Sequence, residues 1–209
     1  MSAGLELASV HMPKAAGTSF RVVLERWYGD TLAESYEAGA IPETARAVHG
    51  HFRAATVAAD HHITWMREPA ARVASHYYFW RSLPEMHVTD DLQRQMREEN
   101  LSLLEFAEMD GIPDLMTSYM SGWSVDDFLF VGIAESSGPE VGRLARLLGK
   151  PSMTLSRANP TISAEYNAFL TSPDWAATTA RLRELNPADC DLYAQALDRM
   201  QGFWKSFAA

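Results

Sequence analysis

One cysteine, Cys190, stands among 209 residues. No internal disulfide can form, which suits a reducing compartment. Cys190 itself reads as a small, partly buried side chain rather than a nucleophile. No run approaches the roughly 20 consecutive apolar residues of a membrane-spanning helix. The N-terminus shows no basic-then-apolar leader pattern. Together these features lead us to expect a cytoplasmic protein without a membrane span. Positive charge is also short. Lys and Arg number 18 against 27 Asp and Glu, for a net charge of −9. Phosphate backbones need a basic face, so this balance argues against nucleic acid as a partner. A local basic pocket for a small anion remains compatible with an acidic whole. The chain also lacks internal repeats, low-complexity tracts and long linkers.

Hydrophobic residues make up 47% and aromatic residues 11% of the chain. That content supports one compact domain over residues 1–209, with a proper core. Four apolar runs read as strands: Leu5–His11, Ala47–Phe52, His61–Met66 and Phe128–Ile133. Ser152–Leu155 is a weaker candidate. Helical patterns separate most of them, so the expected class is α/β with a mainly parallel central sheet. Pro69 suits the first position of a helix over Ala70–Leu83. Ser102 and Glu105 form a capping-box pattern. Ser172-Pro173 and Asn186-Pro187 each place a cap residue before a proline. Tyr193, Leu197, Met200, Trp204 and Phe207 form a helical stripe that reads as core-facing. Residues 84–127 carry no strong strand and read as a helical insertion. Such insertions often cover the sheet's C-terminal edge, where open α/β folds bind ligands.

Three segments carry chemistry. In the first, an apolar run ending at Val10 enters a turn through Pro13, Lys14, Ala15, Ala16 and Gly17. Thr18, Ser19 and Phe20 then open a helix. Strand, lysine-bearing turn and helix N-terminus suit a phosphate, because the first helical N–H groups are unpaired and the dipole favours an anion. The lysine precedes the glycine, unlike the order G-x-x-x-x-G-K-[ST] of a Walker loop. The bland reading is an ordinary strand–turn–helix connection with a surface lysine.

The second segment runs Trp65-Met66-Arg67-Glu68-Pro69-Ala70-Ala71-Arg72-Val73-Ala74-Ser75. A guanidinium at a strand end and a serine two turns into the next helix suit a phosphate dianion. A pair between Arg67 and Glu68 is the competing reading. The third segment is Val48-His49-Gly50-His51-Phe52. Here a general base, a metal site with His61 and His62, and a structural role for buried imidazoles all remain open. Metal ranks lowest, since no cysteine joins them and no H-E-x-x-H pattern appears.

These segments, in this order, resemble the carbohydrate-type (Golgi-type) sulfotransferases. Pro13-Lys14-Ala15-Ala16-Gly17-Thr18-Ser19 is similar to that family's 5′-phosphosulfate loop, with Ala15 in place of its threonine. Arg67 through Tyr77 is similar to its 3′-phosphate segment, and Gly50-His51-Phe52 to its histidine segment. Phe130-Val131-Gly132 with Glu135, Ser156 to Thr161, and Asp189 with Tyr193 extend the likeness from about residue 8 to residue 200. The resemblance implies a P-loop-like three-layer fold with the helical insertion over the active site. It implies transfer of a sulfuryl group from 3′-phosphoadenosine 5′-phosphosulfate to a hydroxyl of a sugar or small glycosylated metabolite, without a metal. His51 would be the base, with His49 assisting or replacing it, and Lys14 would oppose charge on the leaving phosphate. Lys14, Ala15, Ala16, Gly17, Thr18 and Ser19 would hold the 5′-phosphate. Arg67 and Ser75 would hold the 3′-phosphate, and Arg157 lies in a loop near the nucleotide. Tyr77, Tyr78, Phe79, Trp80, Tyr119 and Trp123 are candidate walls of the acceptor site. A nucleotide kinase and a catalytically silent binding protein are the alternatives.

Overall fold

A computed structural model describes residues 4–35, 41–88, 90–153 and 164–208. Five strands form one sheet: β1 (Leu7–Val10), β2 (Leu32–Ser35), β3 (Ala47–Gly50), β4 (His61–Met66) and β5 (Phe130–Ile133). Their order is β2-β3-β1-β4-β5, and every pairing is parallel. Parallel strands need crossover connections, and helices supply several of them. The helices are α1 (Gly17–Tyr28), α2 (Pro69–Ser82), α3 (Asp91–Glu98), α4 (Leu103–Glu108), α5 (Leu115–Met120), α6 (Ser137–Leu147), α7 (Ala164–Leu170), α8 (Trp175–Glu184) and α9 (Pro187–Ala208).

Both sheet faces are covered, as an all-parallel sheet requires. Leu7, Ile63, Trp65 and Phe130 pack with Phe20, Val23 and Leu24 of α1 and Val141 and Leu144 of α6. Val10, Met66, Val131 and Ile133 pack with Met116 and Met120 of α5 and Leu192 and Ala196 of α9. A further cluster joins α2, α4 and α8 through Val73, Phe106 and Leu182. Helices α3, α4 and α5 fall between α2 and β5, which is the helical insertion expected over 84–127. Among the described residues, no helix is long and apolar enough to cross a membrane.

The helix signals hold at two sites. Pro69 opens α2 behind Glu68, whose carboxylate accepts from the Ala71 N–H at 2.7 Å. Ser102 and Glu105 form the capping box of α4. Two cap expectations are corrected. Asn186 precedes α9, but its amide donates back to the Leu182 carbonyl and its Oδ1 accepts from the Asp114 N–H. Helix α8 begins at Trp175 behind Asp174, with no side-chain cap, so Ser172 lies outside it. Strand β2 has no counterpart among the expected strands. It is an edge strand in which Ala33 alone is buried, so its sequence shows no apolar run. Ser152 and Met153 are irregular, and the rest of that weak strand candidate lies outside the described residues.

Candidate functional site

The three segments meet at the C-terminal edge of the sheet. β1 sits in the middle of the order, with β3 on one side and β4 on the other. Val10 is in register with both Gly50 and Thr64. The chain therefore leaves β1 toward Lys14, β3 toward His51 and β4 toward Arg67 at neighbouring points. In open parallel sheets, ligands bind outside the strand ends where the winding reverses, and β1 marks that point here. Gly50 is required by its contact with β2, because a Cβ there would lie 1.9 Å from the Ser35 carbonyl oxygen.

The turn after β1 is tightly wound. Lys14 and Ala16 both take left-handed backbone, with φ of 66° and 68°. The Ala15 N–H closes the turn onto the Met12 carbonyl at 3.2 Å, and its side chain is buried. Ala15 is therefore committed to the turn, and Ala16, Gly17, Thr18 and Ser19 follow it at the start of α1. No side chain caps the start of α1, and no acidic residue lies in its first turn. The first N–H groups of a helix have no intrahelical partner, so this end attracts an anion. Gly17 cannot carry a side chain, since a Cβ would sit 1.9 Å from the His11 ring.

Two cations flank this end. The Lys14 ammonium lies 3.7 Å from the centre of the Phe79 ring. Lys14 is half-buried rather than a solvated surface lysine. Burial, and next the nearby Arg67 guanidinium, pull its pKa down to about 8. Arg67 donates to the Lys14 carbonyl at 3.4 Å and to the Tyr166 hydroxyl at 3.1 Å. Among the described residues, neither cation pairs with a carboxylate. The competing Arg67–Glu68 pair is not formed. Glu68 instead binds Arg183 at 2.8 Å and caps α2. Ser75 lies half-buried two turns into α2. Arg157 and the Ser156 to Thr161 loop lie outside the described residues.

The histidines form a column. The His11 ring stacks on His49 at 4.9 Å and on His51 at 4.4 Å. His49 is 1% exposed, with its Nδ1 2.9 Å from Ser9 Oγ. Burial is the main force that lowers its pKa to about 3, and it lowers that of His11 to about 2. Both rings are neutral at ordinary pH. His51 differs, being exposed at the end of the column. Its Nδ1–H donates to the His11 carbonyl at 2.7 Å, which places the basic lone pair on Nε2. Partial burial shifts its pKa downward. Among the described residues, no three His, Cys, Asp or Glu side chains are grouped to hold a metal ion.

His51 also opens onto a cleft of about 350 Å³. Arg53, Pro113, Leu115, Ser118 and Tyr119 are among its other walls. The last four come from the insertion, so the insertion does cover this part of the sheet edge. Of the expected aromatic walls, Tyr119 lines the cleft and Phe79 lies under Lys14. Tyr77 and Trp80 belong to the core around Phe106, Tyr78 packs on Tyr166, and Trp123 packs on His62.

Three contributors went unseen in the sequence: His11, Arg53 and Tyr166. Each acts through a partner that is distant in sequence or through a cleft formed by folding. His11 had one local signal, its place directly between β1 and the lysine turn. The class that fold and site define is an α/β protein whose parallel-sheet edge brings a lysine, an arginine and an uncapped helix start together beside a cleft lined by His51. Compared with known families and curated proteins, the chain matches no family model and no curated sequence.

Proposed function

We propose that the chain is a sulfotransferase using 3′-phosphoadenosine 5′-phosphosulfate, with a hydroxyl of a sugar or small glycosylated metabolite as acceptor. One observation carries this reading. Lys14, Arg67 and the uncapped start of α1 converge beside a histidine whose basic nitrogen is set by its neighbour's carbonyl. The motif likeness suggests the nucleotide, and the closeness of Lys14, Arg67 and the α1 start supports a reading with two phosphates.

In this reading, the N–H groups of Ala16 to Ser19 hold the 5′-phosphate, and Arg67 with Ser75 holds the 3′-phosphate. The acceptor lies in the cleft. His51 Nε2 takes the proton as the acceptor oxygen attacks sulfur in line. The bond from sulfur to the 5′-phosphate oxygen breaks, and Lys14 opposes the charge that forms there. Catalysis of this kind rests on positioning and charge stabilisation. His49 is buried on Ser9, so it supports the column rather than meeting the acceptor.

Calorimetry with 3′,5′-adenosine bisphosphate and adenosine 5′-monophosphate tests the reading. Hydrogen bonds to charged groups contribute about 1.5–3 kcal/mol each, so the bisphosphate should bind at least about tenfold tighter. Equal affinities would sink the two-phosphate site. Turnover of ATP with magnesium, and none of the phosphosulfate, would favour a kinase.

A further inference from the structure

The cleft beside His51 has a sign of charge that the chain as a whole does not. The protein carries a net charge of −9. Among the described residues that line the cleft, the one charged side chain is the Arg53 guanidinium. The rest are apolar, as at Pro113 and Leu115, or hydroxyl-bearing, as at Ser118 and Tyr119. Arg53 is exposed, and among the described residues it forms no ion pair. The charged groups that act on the Tyr119 hydroxyl are Arg53 and the buried Arg72, both cations. Among the described residues that line the cleft, none is a carboxylate.

One residue, Phe52, separates Arg53 from His51, so their Cα atoms lie within about 7 Å of each other. Arg53 itself has extended backbone. One compact molecule therefore meets both side chains. A guanidinium presents a planar fork of donors suited to carboxylate, sulfate or phosphate oxygens. Exposed at the cleft wall, that fork faces whatever molecule fills the cleft.

We propose that the acceptor is an anion, and that Arg53 binds its carboxylate, sulfate or phosphate while His51 faces the hydroxyl to be modified. This rests on the cleft being the acceptor site. A neutral sugar fills the same space but leaves Arg53 without its partner. Arg53 is then a specificity residue: it selects the acceptor without taking part in bond making.

The test is an NMR titration of the ligand-free protein with four probes: methyl glucoside, methyl glucuronide, glucose 6-sulfate and glucose 6-phosphate. The His51 ring signals report occupancy of the cleft. At least one anionic probe should bind about tenfold tighter than methyl glucoside, or more. Which one does so distinguishes a carboxylate reader from a sulfate or phosphate reader. Arg53→Gln should remove that preference while leaving methyl glucoside binding unchanged. Arg67→Gln should leave the preference intact, because Arg67 faces the turn of Lys14. The proposal is overturned if all four probes bind alike, if none shifts the His51 signals, or if the preference follows Arg67. The titration uses no nucleotide. Loss of the sulfotransferase reading in calorimetry and loss of the Arg53 preference are therefore separate results.

Discussion

Asp114 and Asp189 each cap the other's helix. The Asp189 N–H, in the first turn of α9, donates to Asp114 Oδ1 at 2.9 Å. In return, the Asp189 carboxylate accepts from the Thr117 N–H at 2.8 Å and the Met116 N–H at 3.2 Å, in the first turn of α5. The Thr117 hydroxyl donates to it as well, and the buried Arg72 lies 4.0 Å away. This exchange ties the insertion to the C-terminal helix. It thereby fixes Leu115, Ser118 and Tyr119, three walls of the cleft.

Asp189→Ala removes the cap of α5 and leaves the Arg72 charge buried without its carboxylate. Breaking a buried ion pair from one side costs about 3–5 kcal/mol. Urea denaturation should show a loss of that order, with a smaller loss for Asp189→Asn, which keeps one acceptor oxygen. A loss under 1 kcal/mol for the alanine variant, the usual scale for a surface pair, would contradict this account.

If the proposed function holds, Lys14 sets a pH limit on nucleotide binding. Its pKa is held at about 8, by burial first and Arg67 second. Above that pH the free protein loses the charge, and binding an anion must restore it by taking up a proton. Affinity for 3′,5′-adenosine bisphosphate should therefore fall as pH rises through 8. Lys14→Ala should abolish transfer and flatten this pH dependence, while the thermal melt stays close to wild type. A variant with near-full turnover and an unchanged melt would remove Lys14 from the mechanism.

The buried histidines should make the fold sensitive to acid. His11 and His49 titrate near 2 and 3 in the folded state, against about 6.5 when unfolded. The unfolded chain therefore binds more protons between those values. Stability is fully present above about pH 6.5 and is lost as pH falls toward 3. Chemical denaturation from pH 7 to 4 should show a falling midpoint. His11→Phe, which keeps a flat ring on Gly17 without a titrating nitrogen, should make the decline shallower. An equally steep decline would place the acid sensitivity elsewhere.

Much of the site was legible in the sequence because its parts are local. Strand β4, the Arg67 end and the Pro69 helix start lie in one run of residues, and so does the lysine turn ahead of α1. The spacing of His49 and His51 across Gly50 also predicts their common side. What escaped depends on contacts across the chain. Asp189 caps a helix 72 positions earlier in sequence, and nothing beside it marks that role. Asn186 sits where a cap belongs, yet its side chain turns to Leu182 and Asp114. Edge strand β2 has one buried residue and no alternation, so pairing with β3 defines it rather than its own pattern. His11 gains its place from rings about 40 residues further along the chain.

The last prediction separates the two histidines of the third segment. His51 lines the cleft and presents Nε2, whereas His49 is 1% exposed beneath His11. His51→Ala should lower turnover roughly 10²–10⁴-fold, the usual contribution of a positioned general base. Nucleotide affinity should survive, because His51 lines the cleft and is not among the proposed phosphate ligands. Its melt should fall less than that of His49→Ala, since His51 sits at the outer end of the column and His49 is fully buried. His49→Ala should do the reverse at first order. It opens a cavity among Ser9, His11 and Phe20, so its main effect is a loss of stability. Any loss of turnover should follow from displacement of His11, and through it His51. The measurement is turnover, nucleotide binding and urea midpoint for both variants side by side. If His49→Ala slows transfer more than His51→Ala at equal stability, the base is the inner histidine and the cleft is not the acceptor site. If neither slows it, the column is structural and the proton goes to another group.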